Sequence, residues 1–124
     1  MTVILSIKPE YALKIFTGEK QVEYRRKPIR NAKRVIVYVT KPVGQVLGEF
    51  EIADLICATP EELWKRTAQV GGVDEQAYFE YFKGSTQAYA LMIKNVQRYP
   101  VGRELKDYGL KRAPQFFCYI QSRP

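Results

Sequence analysis

Residues 34–56 read RVIVYVTKPVGQVLGEFEIADLI. The first seven, RVIVYVT, are rich in β-branched side chains and form the strongest strand signal in the chain. Pro42 and Gly44 mark a turn, and residues 46–56 continue as a long strand that the sequence predicts to bend near Gly48. Long bent strands of this kind suit a small barrel. The fold class follows from this stretch, and the flanking segments are read against it.

Upstream, residues 3–7 (VILSI) form a strand apolar enough to be buried on both faces. Pro9 fits the first position of a helix, where its missing N–H costs nothing. Ala12, Leu13, Ile15 and Phe16 supply that helix with an apolar face, and Gly18 caps its end. Residues 22–26 give a second strand, with Val22 and Tyr24 on one face and Glu23 and Arg25 on the other. Residues 27–33 read as a polar connection.

Downstream, Thr59-Pro60-Glu61-Glu62 has the form of a capping box and opens a helix through Trp64 that Gly71-Gly72 ends. Asp74 caps another helix, in which Tyr78, Phe79, Tyr81 and Phe82 recur at helical spacing and are assigned to the core. Gly84-Ser85 closes it. Residues 87–97 return to strand, Tyr99-Pro100-Val101-Gly102 reads as a loop, residues 104–108 as a helical turn, and residues 116–120 as the last strand. The expected architecture is α+β, mostly β: a small barrel of about six strands with two or three flanking helices. Residues 1–124 are expected to form one domain.

Composition narrows the chemistry. There is no histidine, so His-based triads and His-bearing zinc sites are excluded. The two cysteines, Cys57 and Cys118, cannot complete a four-ligand structural zinc site, and nothing calls for a metal or another cofactor. The opening MTVILSIKPEYA carries its lysine after the apolar run rather than before it, unlike a secretion signal, and no stretch is long enough to span a bilayer. A cytoplasmic protein with reduced thiols and no membrane partner is expected.

The net charge is +7, and residues 1–41 hold ten of the 20 basic residues against three of the 13 acidic ones. The whole surplus therefore lies in the first third. Such asymmetry is read as a polyanion-facing surface, most simply nucleic acid, or as a solvated basic face.

Three segments hold polar groups that packing does not readily explain. In GEKQVEYRR, residues 18–26, Glu23 and Arg25 share a strand face and can meet each other or one ligand. The carboxylate can accept hydrogen bonds from a base edge while the cations hold phosphate or carbonyl oxygen. Lys20 joins them only if it still lies in the turn before the strand. Lys8 ends the first strand and places an ammonium at a barrel mouth. In APQFFCYI, residues 113–120, Gln115 can present its amide near that mouth, and Phe116, Phe117 or Tyr119 can stack on a base or pack into the sheet.

The combination of SIKPEYALKIFTGEK, the spacing Gly18-x-Lys20-x-x-Glu23-x-Arg25, and a late Pro-Gln-aromatic strand resembles the ASCH domain, over nearly the whole chain. The resemblance implies a PUA-like β-barrel with a cleft beside the first helix and a role in RNA binding. It makes Lys20, Glu23 and Arg25 cleft residues and Gly18 the turn that lets the backbone through, with Lys8 and Gln115 as additions. The expected ligand is a single-stranded or modified nucleotide in a basic cleft, its phosphates held by Lys8, Arg25, Arg26 and neighbouring cations. Two alternatives stay open: an enzyme, either a ribonuclease or an amidohydrolase of N4-acetylcytidine type, and a protein-interaction domain serving transcription or translation. In the small amidohydrolases the motif's lysine assists a threonine where this chain has Glu23, a carboxylate that cannot repeat the hydroxyl's part. If there is turnover, Lys20 and Glu23 are the candidate catalytic residues.

Overall fold

Every side chain of the VIVYV run is buried, alternate residues facing opposite sides of the sheet. Val35, Val37 and Val39 join Val3, Leu5, Ile7 and Ile15 in one core, while Ile36 and Tyr38 join Ile4, Val46 and Tyr99 in another. Fully burying each such aliphatic side chain contributes about 1.5–3 kcal/mol. This strand is therefore the spine between two apolar layers, which is why its sequence lacks polar alternation.

The computed structural model describes residues 1–120. In chain order they form β1 (Thr2–Ile7), α1 (Pro9–Thr17), β2 (Val22–Arg25), β3 (Arg34–Val39), β4 (Gln45–Ala58), α2 (Pro60–Thr67), α3 (Glu75–Tyr81), β5 (Ala88–Arg103) and β6 (Phe117–Ile120). Short 3₁₀ turns occupy Ala68–Val70 and Leu105–Tyr108. The six strands make one sheet in the order β2-β5-β4-β3-β1-β6, antiparallel except for the β1–β3 pair. It curls into a half-barrel flanked by three helices, the mostly β architecture expected, left open between β2 and β6.

Local signals place the helices. Pro9 opens α1 and Gly18, at φ 85°, ends it with its N–H on the Ile15 carbonyl. Thr59 caps α2 through the Glu62 amide, and Asp74 caps α3 through the Ala77 amide. At Gly48 a Cβ would lie 2.5 Å from the Phe16 ring and from the Gln97 carbonyl oxygen. The bend and register shifts around it thus let α1 lie close on the sheet.

Four expectations are corrected. Tyr99–Gly102 is strand, because β5 runs for 16 residues along β4. Among the described residues β2 pairs with β5 only as far as Met92, so the other side of β5 has no strand partner at Pro100 and the missing N–H removes no ladder bond there. Tyr99 is buried there and donates to Glu49 Oε1 at 2.7 Å. The connection of residues 27–33 is not wholly polar in effect, since Ile29 inserts into the core. Leu13 is 55% exposed, because Ala12 and Ile15 already fill the buried stripe of α1. Of the aromatic set on α3, Tyr78 and Phe82 are core, but Tyr81 stays 36% exposed.

Candidate functional site

Gly18 turns the chain back after α1, and the amides of Lys20 and Gln21 bond to the carbonyls of Lys14 and Val70. That double tie holds Lys20 in the turn and drives its side chain inward, to 2% exposure. Its ammonium donates to the Gly71 carbonyl at 2.5 Å and lies 3.9 Å from Glu23 Oε1. The rings of Tyr24 and Tyr11 lie 4.9 and 5.3 Å from the same nitrogen, within cation–π range. Burial holds the Lys20 pKa below the usual lysine range, against the opposing pull of Glu23.

Glu23 and Arg25 share a face of β2, as their spacing requires. Arg25 Nη2 donates to Glu23 Oε2 at 2.8 Å and to the Ser6 carbonyl at 3.2 Å. Ser6 lies on β1 beyond the last β6 pairing, so this guanidinium spans the gap in the curled sheet. Its Nε is buried with no hydrogen-bond partner among the described residues.

These groups wall a cavity of about 430 Å³ between the end of β1, the start of α1, β2 and α3. Lys8, exposed at the N-terminal cap of α1, stands at its edge. The segment of residues 59–84 supplies the opposite wall through Val73, Ala77, Glu80 and Tyr81. The lining is mixed in charge, with Lys8, Lys20 and Arg25 against Glu23 and Glu80.

Other expected residues lie elsewhere. Arg26 is exposed and outside the lining, its guanidinium 4.8 Å over the Tyr81 ring. Gly18 shapes the turn without lining the cavity. Gln115 is exposed and also outside it, although Ser6 Oγ donates to the neighbouring Pro114 carbonyl at 2.7 Å.

Sequence reasoning missed the tyrosines. Tyr11, Tyr24 and Tyr81 all line the cavity. Tyr24 lies with Val22 on the face opposite Glu23, as the alternation of β2 requires, but its hydroxyl reaches Thr67 Oγ1 at 2.7 Å and its ring covers Lys20, a reach that strand parity does not reveal. Thr67 itself donates to the Leu63 carbonyl, so Tyr24 is the donor of that bond. Burial raises all three tyrosines above the usual range, so their phenols are protonated at neutral pH; Tyr24 is buried wall, while the partly exposed Tyr11 and Tyr81 present ring faces.

Among the described residues no cluster of His, Cys, Asp and Glu could hold a metal ion, and no helix is long and apolar enough to cross a membrane. Cys57 and Cys118 are both free thiols.

Comparison with known proteins adds a family. The model of the ASCH domain matches residues 5–99. The ASCH domain-containing ribonuclease of Zymomonas mobilis is 33% identical over 97 residues, covering 76% of this chain and 65% of that protein. Large ribosomal subunit protein uL22 of Ureaplasma parvum is 30% identical over 122 residues, covering 97% of this chain. The chain spans only 39% of that relative's length. The crystal structure of ASCH from Zymomonas mobilis superposes with a TM-score of 0.89 at 27% identity, covering 97% of this chain and 87% of that one.

Proposed function

Because the chain belongs to the ASCH domain family, we propose that its cavity receives one unstacked nucleotide of single-stranded RNA. The observation that carries this reading is the buried carboxylate of Glu23, set between Lys20 and Arg25 in the cavity wall. Arg25 holds one carboxylate oxygen at 2.8 Å, while among the described residues the other has only the more distant Lys20 ammonium at 3.9 Å. That second oxygen accepts an N–H from a base edge, and the rings of Tyr11 and Tyr81 offer stacking faces. A cavity of about 430 Å³ lies within the range of about 300–1,000 Å³ typical of small-ligand pockets. Residues 1–124 act in this reading as one RNA-binding module of the cytoplasm.

Binding of a fluorescent RNA trinucleotide, followed by anisotropy, tests the assignment. Glu23→Gln keeps the shape of the side chain, removes its charge and gives one oxygen's place to a donor. A loss of about tenfold or more in affinity is expected, as for an unpaired polar group in a built site. Unchanged affinity in folded Glu23→Gln protein overturns the reading. Tyr81→Ala, at the half-exposed rim, provides a second variant should Glu23→Gln fail to fold.

A second reading, RNA cleavage, is favoured by the relative named a ribonuclease and by the ammonium–carboxylate–guanidinium cluster itself. Glu23 would then take the proton of the attacking 2′-hydroxyl and Lys20 would protonate the 5′-oxygen as its bond to phosphorus breaks, while Arg25 stabilises the negative charge on the phosphoryl oxygens. Turnover of labelled RNA that disappears in Lys20→Met supports it, and binding without turnover removes it. A protein captured from lysate in high salt, after nuclease treatment, would instead point to an interaction domain.

A further inference from the structure

Resting on the RNA reading of the cavity, we propose that the RNA strand flanking the bound nucleotide runs over a second surface, formed by the loop after β2 and the segment leading into β6. No acidic residue occurs between Glu23 and Glu49, and none after Asp107. The fold brings these two acid-free stretches side by side and fastens them at two points. At the cavity mouth, Arg25 Nη2 donates to the Ser6 carbonyl and Ser6 Oγ donates to the Pro114 carbonyl. Farther along, Tyr119 Oη donates to the Arg30 carbonyl at 2.7 Å.

The side chains on this surface suit a single strand of nucleic acid. Lys27, Arg30, Lys111 and Arg112 are exposed, and among the described residues none of the four forms an ion pair. Phe116 is 56% exposed and Tyr119 40% exposed. Stacking platforms flanked by cations are how single strands are tracked without sequence readout, and an acid-free stretch that exposes both aromatic rings and cations supplies these parts. The surface begins at Ser6, which also lines the cavity, so a strand with one nucleotide inside would continue onto it. The cavity lining is mixed in charge, so the unneutralised cations of these stretches supply the phosphate contacts that it lacks.

Anisotropy with a fluorescent RNA trinucleotide and a dodecamer of the same sequence tests the surface. Wild-type protein should bind the dodecamer about tenfold or more tightly than the trinucleotide. The double variant Lys111→Glu/Arg112→Glu should lose that advantage, and its salt slope should fall by about 0.7 for each phosphate contact removed. Phe116→Ala should weaken dodecamer binding about tenfold by loss of one stacked base. Both variants should leave the melting temperature unchanged and affect the trinucleotide far less than the dodecamer, since the substituted residues are exposed and outside the cavity and only the trinucleotide's two flanking nucleotides can reach them. Dodecamer affinity that survives the charge reversal overturns the proposal. So does an effect of charge reversal that is matched on heparin while Phe116→Ala does nothing, because the surface would then read charge alone. If the trinucleotide does not bind, or Glu23→Gln does not affect it, while the dodecamer still loses affinity in these variants, the cavity reading fails and the surface stands. If neither RNA binds, both fail.

Discussion

The Lys20 ammonium donates a 2.5 Å hydrogen bond to the carbonyl of Gly71, 51 residues away in sequence. Beside it, Lys14 Nζ donates to the Gly72 carbonyl at 3.1 Å. The lysine of the Gly-x-Lys-x-x-Glu-x-Arg pattern is thus a clamp as well as a charge. It ties the turn after α1 to the glycine pair from which the α3 wall of the cavity departs.

Lys20→Met separates clamp from charge. Near neutral pH the variant should be less stable by about 1–2 kcal/mol, as the Gly71 carbonyl and Glu23 lose a partner while an ammonium no longer has to be buried. Its pH dependence is the sharper readout. Burial lowers the Lys20 pKa in the folded protein, so between that value and the ordinary lysine value the unfolded chain binds more protons. Wild-type stability therefore gains from rising pH in that window, and the methionine variant does not. Urea midpoints measured from neutral pH to about pH 10 should show the wild-type advantage growing. A constant difference would mean that Lys20 is not desolvated as described.

Two glycines separate backbone strain from contact. Gly18 and Gly72 both have positive φ, 85° and 65°, but a Cβ at Gly18 meets nothing within 4 Å, whereas one at Gly72 would lie 2.8 Å from Lys20 Cβ. Gly18→Ala should cost about 1–2 kcal/mol, the left-handed penalty alone, and leave RNA binding at the cavity intact. Gly72→Ala should cost more and weaken binding as well, because it displaces Lys20. Thermal melts and trinucleotide binding on both variants check the contrast.

Tyr78 is enclosed in the aromatic cluster of α2 and α3, 1% exposed, and its hydroxyl donates to the Pro60 carbonyl at 2.8 Å. Tyr78→Phe should lose about 1 kcal/mol at pH 7. Burial raises the Tyr78 pKa well above the usual value, so its contribution is fully present below about pH 10 and is lost as pH rises through the folded value. The gap between wild type and variant should therefore close above about pH 10. Denaturant midpoints at pH 7 and 11 are sufficient to decide.

Glu23→Gln should destabilise by about 3 kcal/mol, because it leaves Arg25 and Lys20 without a carboxylate at sites where their side chains are only 14% and 2% exposed. Glu19→Gln is the control. That carboxylate pairs with Lys14 at 3.8 Å while 63% exposed, and its loss should be within about 0.5 kcal/mol. Similar losses in the two variants would remove the distinction between the buried and the surface pair.

The elements that local chemistry specifies were legible in the sequence. Pro9 and Gly18 bracket α1, Asp74 and Thr59 cap their helices, the β-branched run marks β3, and Gly48 marks the bend of β4. Features set by partners distant in sequence were not. Pro100 signals a loop until it is known that the neighbouring strand stops at Met92. Lys20 fits either side of a parity argument until the Val70 carbonyl fixes the turn. Tyr11 and Tyr81 carry no local sign of a shared cavity, since one lies on α1 and the other 70 residues away on α3.

The unpaired side of β5 has a bearing on solubility. Past Met92 this strand has paired one edge with β4, and the other has no strand partner among the described residues. Such an edge is a template for unwanted strand addition between molecules. Here it carries Lys94, Arg98 and Arg103, a left-handed Asn95 at φ 52°, repeated register shifts and Pro100. Each interrupts a regular ladder or places charge on it. The residue that misled the reading of a loop is thus one of those that keep neighbouring copies from zipping together.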